Sequence, residues 1–533
     1  MLVLLWVRER REVLAVVLVA LVAAVTYSSF SWGLPWRFNS PDEAANAYFS
    51  ERMALGQELA APAALNAVVP VPVVHPRSTT IVDGRLVPAS FLGLPLLAGF
   101  VGRFAGTAAL PYVTPLGAVV GLVCFYLIVR GLFNPRAAAI AFGLLALLPG
   151  YWYYHSRSFF HNGLFFDFLL LTFWLGLKAL RSGRSYLYLL TGLAYGATVA
   201  LRSSEVFWIT VAVVVWVTTA GYKVHFRHLV WFVAGAVVGF SPVLITNYHL
   251  YGQPLSIGYG VSMVQPGGSL SASASLLKQL IVPFGIHPHV IWSNVSRYLI
   301  TLSWWWTVLA AVGAAWVASH FRTFTQEQRA WFSTTVVAAV WLTVLYGSWQ
   351  FHDNPDPTAI TLGTSYVRYW LPLQALLLIP AALAADHWLS VRWARVGVAV
   401  ALVAYAALSV HLVLFDPSEG LNQVRANIFR FESISLTVQR LTDPKSVIMT
   451  ELTDKFFWPE RAVMQSSPPQ VTWPAVKTLL KHGTPVFYFH PTWSPRDFTL
   501  LNQKQLAPYG LGLQAIQYGF GDHSLYRFAV TKL

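Results

Sequence analysis

The sequence predicts an all-α polytopic membrane fold of about eleven transmembrane helices followed by a small α/β segment, and three observations lead there. Hydrophobic residues make up 56% of the chain and charged residues 11%, against about 25% charged in soluble domains. Apolar runs of about 17 to 22 residues recur through the first four-fifths of the sequence, each able to cross a hydrocarbon layer of about 30 Å. Beyond Phe415 the composition turns abruptly polar and mixed.

The first run, 13–33, follows Arg8, Arg10 and Arg11. A signal peptide also begins in this way, but the run is longer than a usual h-region and no small-residue cleavage site is evident, so it is expected to stay as the first span. Further spans are expected at 109–129, 137–154, 160–177, 186–201, 205–222, 229–247, 298–319, 330–348, 367–389 and 394–415. With the N-terminus cytoplasmic, the inside connectors carry Arg130 and Arg136; Lys178, Arg181 and Arg184; Lys223 and Arg227; Arg322 and Arg329; and Arg392 and Arg395. Basic inside loops are what the positive-inside rule requires. The formal charge of +14 is therefore spread over short connectors rather than gathered on one patch. That excludes nucleic acid as a partner and leaves the lipid bilayer.

Leu86–Val101 is apolar enough to pass for a twelfth span. Counting it would turn the basic connectors outward, and it is short and carries Pro88 and Pro95. It is expected to be an interfacial or re-entrant helix. The outer face then receives a long first loop, 34–108, a second from Leu250 to Arg297, and a third from Trp349 to Tyr366. An odd span count also places the C-terminal segment outside the cytoplasm. The expected division is a membrane domain at 1–415 and a small extracytoplasmic α/β domain at 416–533. Within the latter, Ser446–Thr450 and Pro485–Phe489 read as strands, Pro474–Lys481 as a helix, and Leu511–Ala529 as a Gly-turned hairpin. It carries no catalytic signature.

The chemistry is expected where the outer loops leave the membrane. Asn39-Ser40-Pro41-Asp42-Glu43 follows the first span. Ser40 suits a helix cap, Pro41 the first helical position, and two acids the first turn. The same adjacent carboxylates also supply what a general base needs, with basicity tuned by burial and neighbouring charge. At the third outer turn, Pro149-Gly150-Tyr151-Trp152-Tyr153-Tyr154-His155-Ser156-Arg157 leads to Asn162. Arg157 is readable as a snorkelling helix end or as a fork of donors for phosphate. Arg202, Arg297 and Arg368 lie at the same boundary, against the positive-inside trend, and together they favour an anionic ligand. His75, His155, His161, His249, His287, His289 and His352 also fall on outer segments. His287-Pro288-His289 is a metal-pair pattern without a nearby acid, so a divalent metal is possible but not indicated. The one cysteine, Cys124, excludes an intramolecular disulfide.

Taken together, several of these segments resemble the GT-C class of membrane glycosyltransferases, specifically the protein mannosyltransferase and lipid A aminoarabinose transferase family. Asp42-Glu43 resembles the acidic motif of that family's first outer loop. Ala146-Leu147-Leu148-Pro149 through Arg157 resembles its proline, tyrosine, serine-arginine turn. Leu190 through Arg202 resembles its glycine-rich fifth span. Tyr251-Gly252-Gln253-Pro254-Leu255 with Gly258-Tyr259 resembles a Gly-x-Pro-Leu loop, and Arg368-Tyr369-Trp370-Leu371-Pro372 an Arg-Tyr-x-Leu-Pro span entry. The resemblance covers about residues 10–415. One departure is Asn162, where relatives often carry an acid, with Asp167 deeper in the following span.

The resemblance implies an inverting transfer of a sugar from a polyprenyl-phosphate donor to a protein, lipid or glycan acceptor on the outer face. Asp42 would be the base, with Glu43 in support. His155, Arg157, Asn162, Arg202, Tyr259, Arg368 and Tyr369 would bind substrate, and no cofactor is required. A polytopic transporter or flippase of a lipid-linked or anionic substrate is the competing class. It is disfavoured because no internal repeat is evident and the charges gather at the outer boundary rather than in mid-membrane.

Overall fold

The computed structural model describes residues 2–256, 258, 283–354 and 356–531, with side chains from Leu14 onward. The chain forms two compact units. The first comprises Met1–Trp32, Pro111–Val243 and Gly267–Gln423, and the second Gly33–Leu110, Leu244–Pro266 and Val424–Leu533.

Six helices among the described residues are long and apolar enough to cross a membrane: Thr107–Leu132, His161–Ser182, Phe226–Tyr251, Gln326–Gly347, Leu371–Ser390 and Arg395–Phe415. Three helix pairs pass the same test jointly but are bent. Pro135–Ala146 with Pro149–Arg157 turns by 54°, Ser185–Leu201 with Ser203–Thr219 by 118°, and Pro288–Thr301 with Trp304–Thr323 by 99°. Counting each pair once gives up to nine crossings where the sequence suggested eleven. Two differences account for the gap. The expected spans 186–201 and 205–222 are the two arms of one bent pair, and the N-terminal helix, Leu2–Ser29 with 28 residues, enters the count only from Leu14, among the shorter apolar helices.

Local chemistry explains the first of these breaks. Asn134 caps the helix starting at Pro135 by accepting from the Ala137 N–H, and Pro149 opens the next helix with Leu148 held extended before it, as a residue preceding proline must be. The glycine-rich span Ser185–Leu201 packs directly on Phe226–Val243. A Cβ on Gly192 would meet the Phe232 carbonyl, one on Gly196 the Ala236 carbonyl, and those on Gly235 and Gly239 the carbonyls of Leu189 and Leu193. Two interlocked small-xxx-small patterns thus bring backbone onto backbone.

The second unit holds two sheets. β1 (Ala61–Pro62), β2 (Thr79–Val82) and β3 (Arg85–Pro88) form an antiparallel sheet in the order β1-β3-β2. β4 (Val447–Thr450), β5 (Ala462–Gln465), β6 (Val486–Pro491), β7 (Leu511–Phe520) and β8 (His523–Val530) form a second in the order β5-β4-β6-β8-β7. Here β4 runs parallel to β5 and β6, and β8 antiparallel to β6 and β7. The helix Pro469–Lys481 makes the crossover from β5 to β6, which parallel strands require. Its Trp473, Val476 and Leu479 pack with Val447, Met449, Val486 and Phe528. Val69 and Val74, from the long loop after the first helix, enter the same core. That loop and the C-terminal residues therefore share one hydrophobic interior. β5 and the helices Leu421–Leu441 and Pro495–Leu500 were not anticipated from the sequence.

Leu86–Val101 resolves into the end of β3 and the helix Gly93–Ala105 of 13 residues. At about 1.5 Å per residue this helix is too short to cross a bilayer. It lies on the helix Pro41–Ala54, with Gly99 against Met53 and Gly102 against Ala54.

Candidate active site

The acid pair sits at the start of Pro41–Ala54, and its two members do different things. Ser40 is the cap, and Glu43 Oε2 accepts from the Ser40 backbone N–H at 2.9 Å, completing a capping box of the reciprocal kind that satisfies two unpaired backbone donors. Glu43 is 2% exposed. Asp42 is half-buried, and its Oδ1 accepts from Ser78 Oγ at 2.6 Å. The sequence offers no hint of Ser78, which lies 36 residues away. Nearby in the chain, burial lowers the His75 pKa from its ordinary value while Asp454 pulls it up.

In the other unit the three arginines Arg157, Arg202 and Arg368 are buried, with 4%, 6% and 9% exposure. The helix Pro149–Arg157 ends abruptly because Ser158 and Phe159 take positive φ, +61° and +29°, a backbone region that L-residues occupy at a cost of about 1–3 kcal/mol. That turn presents Phe160. The Arg157 guanidinium lies 4.9 Å from the Phe160 ring and 5.2 Å from the Tyr153 ring, and donates to Tyr153 Oη at 2.8 Å. Arg368 lies 4.9 Å from the same Phe160 ring and 5.4 Å from Tyr369, while Arg202 lies 4.6 Å from Tyr369. Three cations far apart in sequence are thus strung on two rings, each ring taking two guanidinium groups.

The polar partners of this array were only partly foreseen. Arg368 Nη2 donates to Ser365 Oγ at 2.7 Å, and that hydroxyl donates to Asp353 at 3.0 Å. Asn162 Nδ2 donates to the Arg368 carbonyl at 3.4 Å, so the residue standing in place of an acid braces the arginine's backbone. Glu205 was missed, although its i+3 spacing from Arg202 offered the signal. It receives Arg202 Nε at 2.9 Å and Nη2 at 2.7 Å, Trp208 Nε1 at 2.6 Å, and the Tyr346 hydroxyl.

His155 serves a different assembly. Its Nε2 and the Asp167 carboxylate are 2.8 Å apart, its Nδ1 faces the Tyr151 carbonyl at 2.7 Å, and the Tyr151 hydroxyl donates to Asp167 at 2.8 Å. His155 is wholly buried and Asp167 is 2% exposed. A Cβ at Gly121 would collide with this carboxylate. Arg297, the fourth expected arginine, donates instead to the Pro357 carbonyl at 3.2 Å. Tyr259 lies outside the described residues, among which no three His, Cys, Asp or Glu side chains gather as a metal site.

Residues 105–246 match the family model described as dolichyl-phosphate-mannose-protein mannosyltransferase, a stretch that contains His155, Arg157, Asn162 and Arg202. No curated protein matches the chain. Similar solved structures include ArnT from Cupriavidus metallidurans in the apo state, with 13% identity, a TM-score of 0.53, and 98% of each chain covered. The same protein bound to undecaprenyl phosphate gives 12% identity, a TM-score of 0.52, and 97% of each chain covered. The apo oligosaccharyltransferase of Archaeoglobus fulgidus gives 12% identity and a TM-score of 0.53, covering 97% of this chain and 74% of that one. The likeness in fold extends over the C-terminal residues that the sequence motifs left uncovered. The resemblance to GT-C glycosyltransferases read from the motifs is borne out by the family model over 105–246 and by the shared fold.

Proposed function

We propose that this chain is an inverting glycosyltransferase that moves a hexosyl or pentosyl group from a polyprenyl-phosphate carrier to an acceptor on the outer face of a cell membrane. The observation that carries the reading is the array of Arg157, Arg368 and Arg202 on Phe160 and Tyr369. Buried guanidinium groups held at fixed positions by ring faces suit a phosphate monoanion or diester, because their planar, delocalised charge matches phosphate oxygens.

In the reaction, the acceptor hydroxyl oxygen forms a bond to the anomeric carbon while the bond from that carbon to the phosphate oxygen breaks. The phosphate keeps the electron pair, and Asp42 takes the hydroxyl proton. The arginines stabilise the charge that grows on the leaving polyprenyl phosphate, so no metal or organic cofactor is needed. Glu43 holds the start of the Asp42 helix. The acceptor is a protein, lipid or glycan. In this reading the chain spans the membrane eleven times: the nine crossings, one more because Ser185–Leu201 and Ser203–Thr219 each span, and one more from the N-terminal helix. The N-terminus is then cytoplasmic and the C-terminal sheet extracytoplasmic.

The test is transfer from a panel of synthetic polyprenyl-phosphate sugars by the purified chain in lipid, with Asp42→Asn alongside. Turnover that vanishes in the variant while donor binding persists supports the reading. Absence of both binding and turnover across the panel overturns it and favours a carrier.

A further inference from the structure

From the contacts of one dipeptide, Asp454-Lys455, we infer that the C-terminal segment positions the proposed base and sets its basicity; this rests on the reading of Asp42 as the base. Asp454 is 1% exposed. Its Oδ2 accepts from the Arg77 backbone N–H at 2.8 Å, and its Oδ1 from Arg77 Nε at 2.8 Å and Nη2 at 2.7 Å. Arg77 Nη2 also donates to the Leu452 carbonyl. The backbone of Arg77 is thereby gripped as firmly as its side chain, and the next residue is Ser78. Ser78 sits at φ +59°, in the left-handed region that serine seldom enters, and its carbonyl accepts from the Ala89 N–H at 3.0 Å. In that conformation its hydroxyl reaches Asp42. On the other side, Lys455 Nζ donates to the carbonyl of Asn39, just before the Ser40 cap. One dipeptide from near the end of the chain therefore holds both the acid-bearing helix and the serine that touches the acid.

The chemical consequence follows from the donor. A hydroxyl donating to a carboxylate favours its charged form and keeps its pKa low, and it fixes the rotation of the carboxyl group toward an incoming hydroxyl. Ser78, Asp454 and Lys455 are positioning residues in this scheme. Arg77 carries the force between Asp454 and Ser78.

The experiment is the pH profile of kcat/KM for sugar transfer in Ser78→Ala, Ser78→Gly, Asp454→Asn and the double variant Ser78→Ala with Asp454→Asn. Both serine variants are expected to move the acid limb up by about one pH unit, with the KM for donor unchanged. Ser78→Gly is expected to do so without loss of stability, because glycine accepts the positive φ freely. Asp454→Asn is expected to move the limb the same way, and the double variant to shift it no further than Ser78→Ala alone. An acid limb that stays put in Ser78→Gly overturns the inference. So do shifts in the double variant that simply add. Activity surviving in Asp42→Asn would instead sink the base assignment beneath it. If Asp454→Asn does not fold, the two serine variants and Lys455→Met still decide the matter.

Discussion

The arginine array and the acid-bearing helix solve opposite electrostatic problems, and they are held in opposite ways. Three cations gathered at one place repel one another, and each has to be fixed in place against that repulsion. Ring faces hold guanidinium groups through the quadrupole, and Phe160 and Tyr369 do this for Arg157, Arg368 and Arg202. Arg202 also carries a carboxylate directly on its guanidinium, from Glu205. Asp42, by contrast, is held by donors: a hydroxyl on its own oxygen and, behind that hydroxyl, the ion pair between Arg77 and Asp454. The array is assembled from residues at span ends, whereas the acid is fixed through a contact 377 residues away in sequence. On the proposed reading, the anion site leans on aromatic packing, whereas the base has its hydrogen bonds specified one at a time.

Substitutions break or sharpen this contrast, beginning with the largest expected effect. Asp42→Asn is expected to cut transfer by about 10²- to 10⁴-fold, the usual worth of a general base. Glu43→Gln, whose side-chain oxygen still accepts from Ser40, should lose about threefold or less; steady-state kinetics on the two variants separates them. Glu205→Gln leaves the Arg202 charge buried without its partner, an expected loss of about 3 kcal/mol. That should appear as a fall of about 5 °C in the thermal inactivation midpoint in lipid, with donor affinity retained. Arg368→Lys keeps the charge but loses the planar fork and the stack on two rings. Donor binding should weaken about tenfold, or about 1.4 kcal/mol, as read by calorimetry or a fluorescent donor, with little change in kcat.

The smallest expected effect is on pH. Burial holds the His75 pKa below its ordinary value, so the folded state binds this proton less readily than the unfolded one. The neutral imidazole's contribution is complete above the unfolded pKa of about 6.5 and is lost as pH falls through the lower folded value. In His75→Asn the acid-side decline in thermal midpoint should be shallower by about 1–2 °C. An unchanged decline would remove His75 from the list of groups that sense acid.

The sequence made much of the arginine array legible because each member is a charge at the end of an apolar run, where a charge stands out. It also marked the acid pair, since a serine, a proline and two acids in series follow capping chemistry. What it left hidden has a common physical cause. Ser78, Asp454 and Lys455 are ordinary polar residues, and only the fold brings them to Asp42, Arg77 and Asn39 respectively. His155 shows the reverse case. It was placed among substrate ligands by its position in the turn, yet it lies with Asp167 and Tyr151 in a closed network. Its partner acid sits 12 residues further on, inside a span, where a lone Asp could have signalled a buried pair. The sequence marked the break after Leu201 by ending one apolar run there and starting another at 205, but it gave no sign of the angle, 118°.

The interlocked glycines of Ser185–Leu201 and Phe226–Val243 bear on how such a chain assembles. Within lipid, apolar side chains gain little by exchanging hydrocarbon for protein, so association depends on how closely two backbones can approach. These two helices present glycines to each other on both sides, and they follow one another in the chain with a single helix between them. An alanine at Gly192, whose Cβ would meet the Phe232 carbonyl, is therefore expected to push the two backbones apart, a loss that side-chain packing in lipid cannot make good.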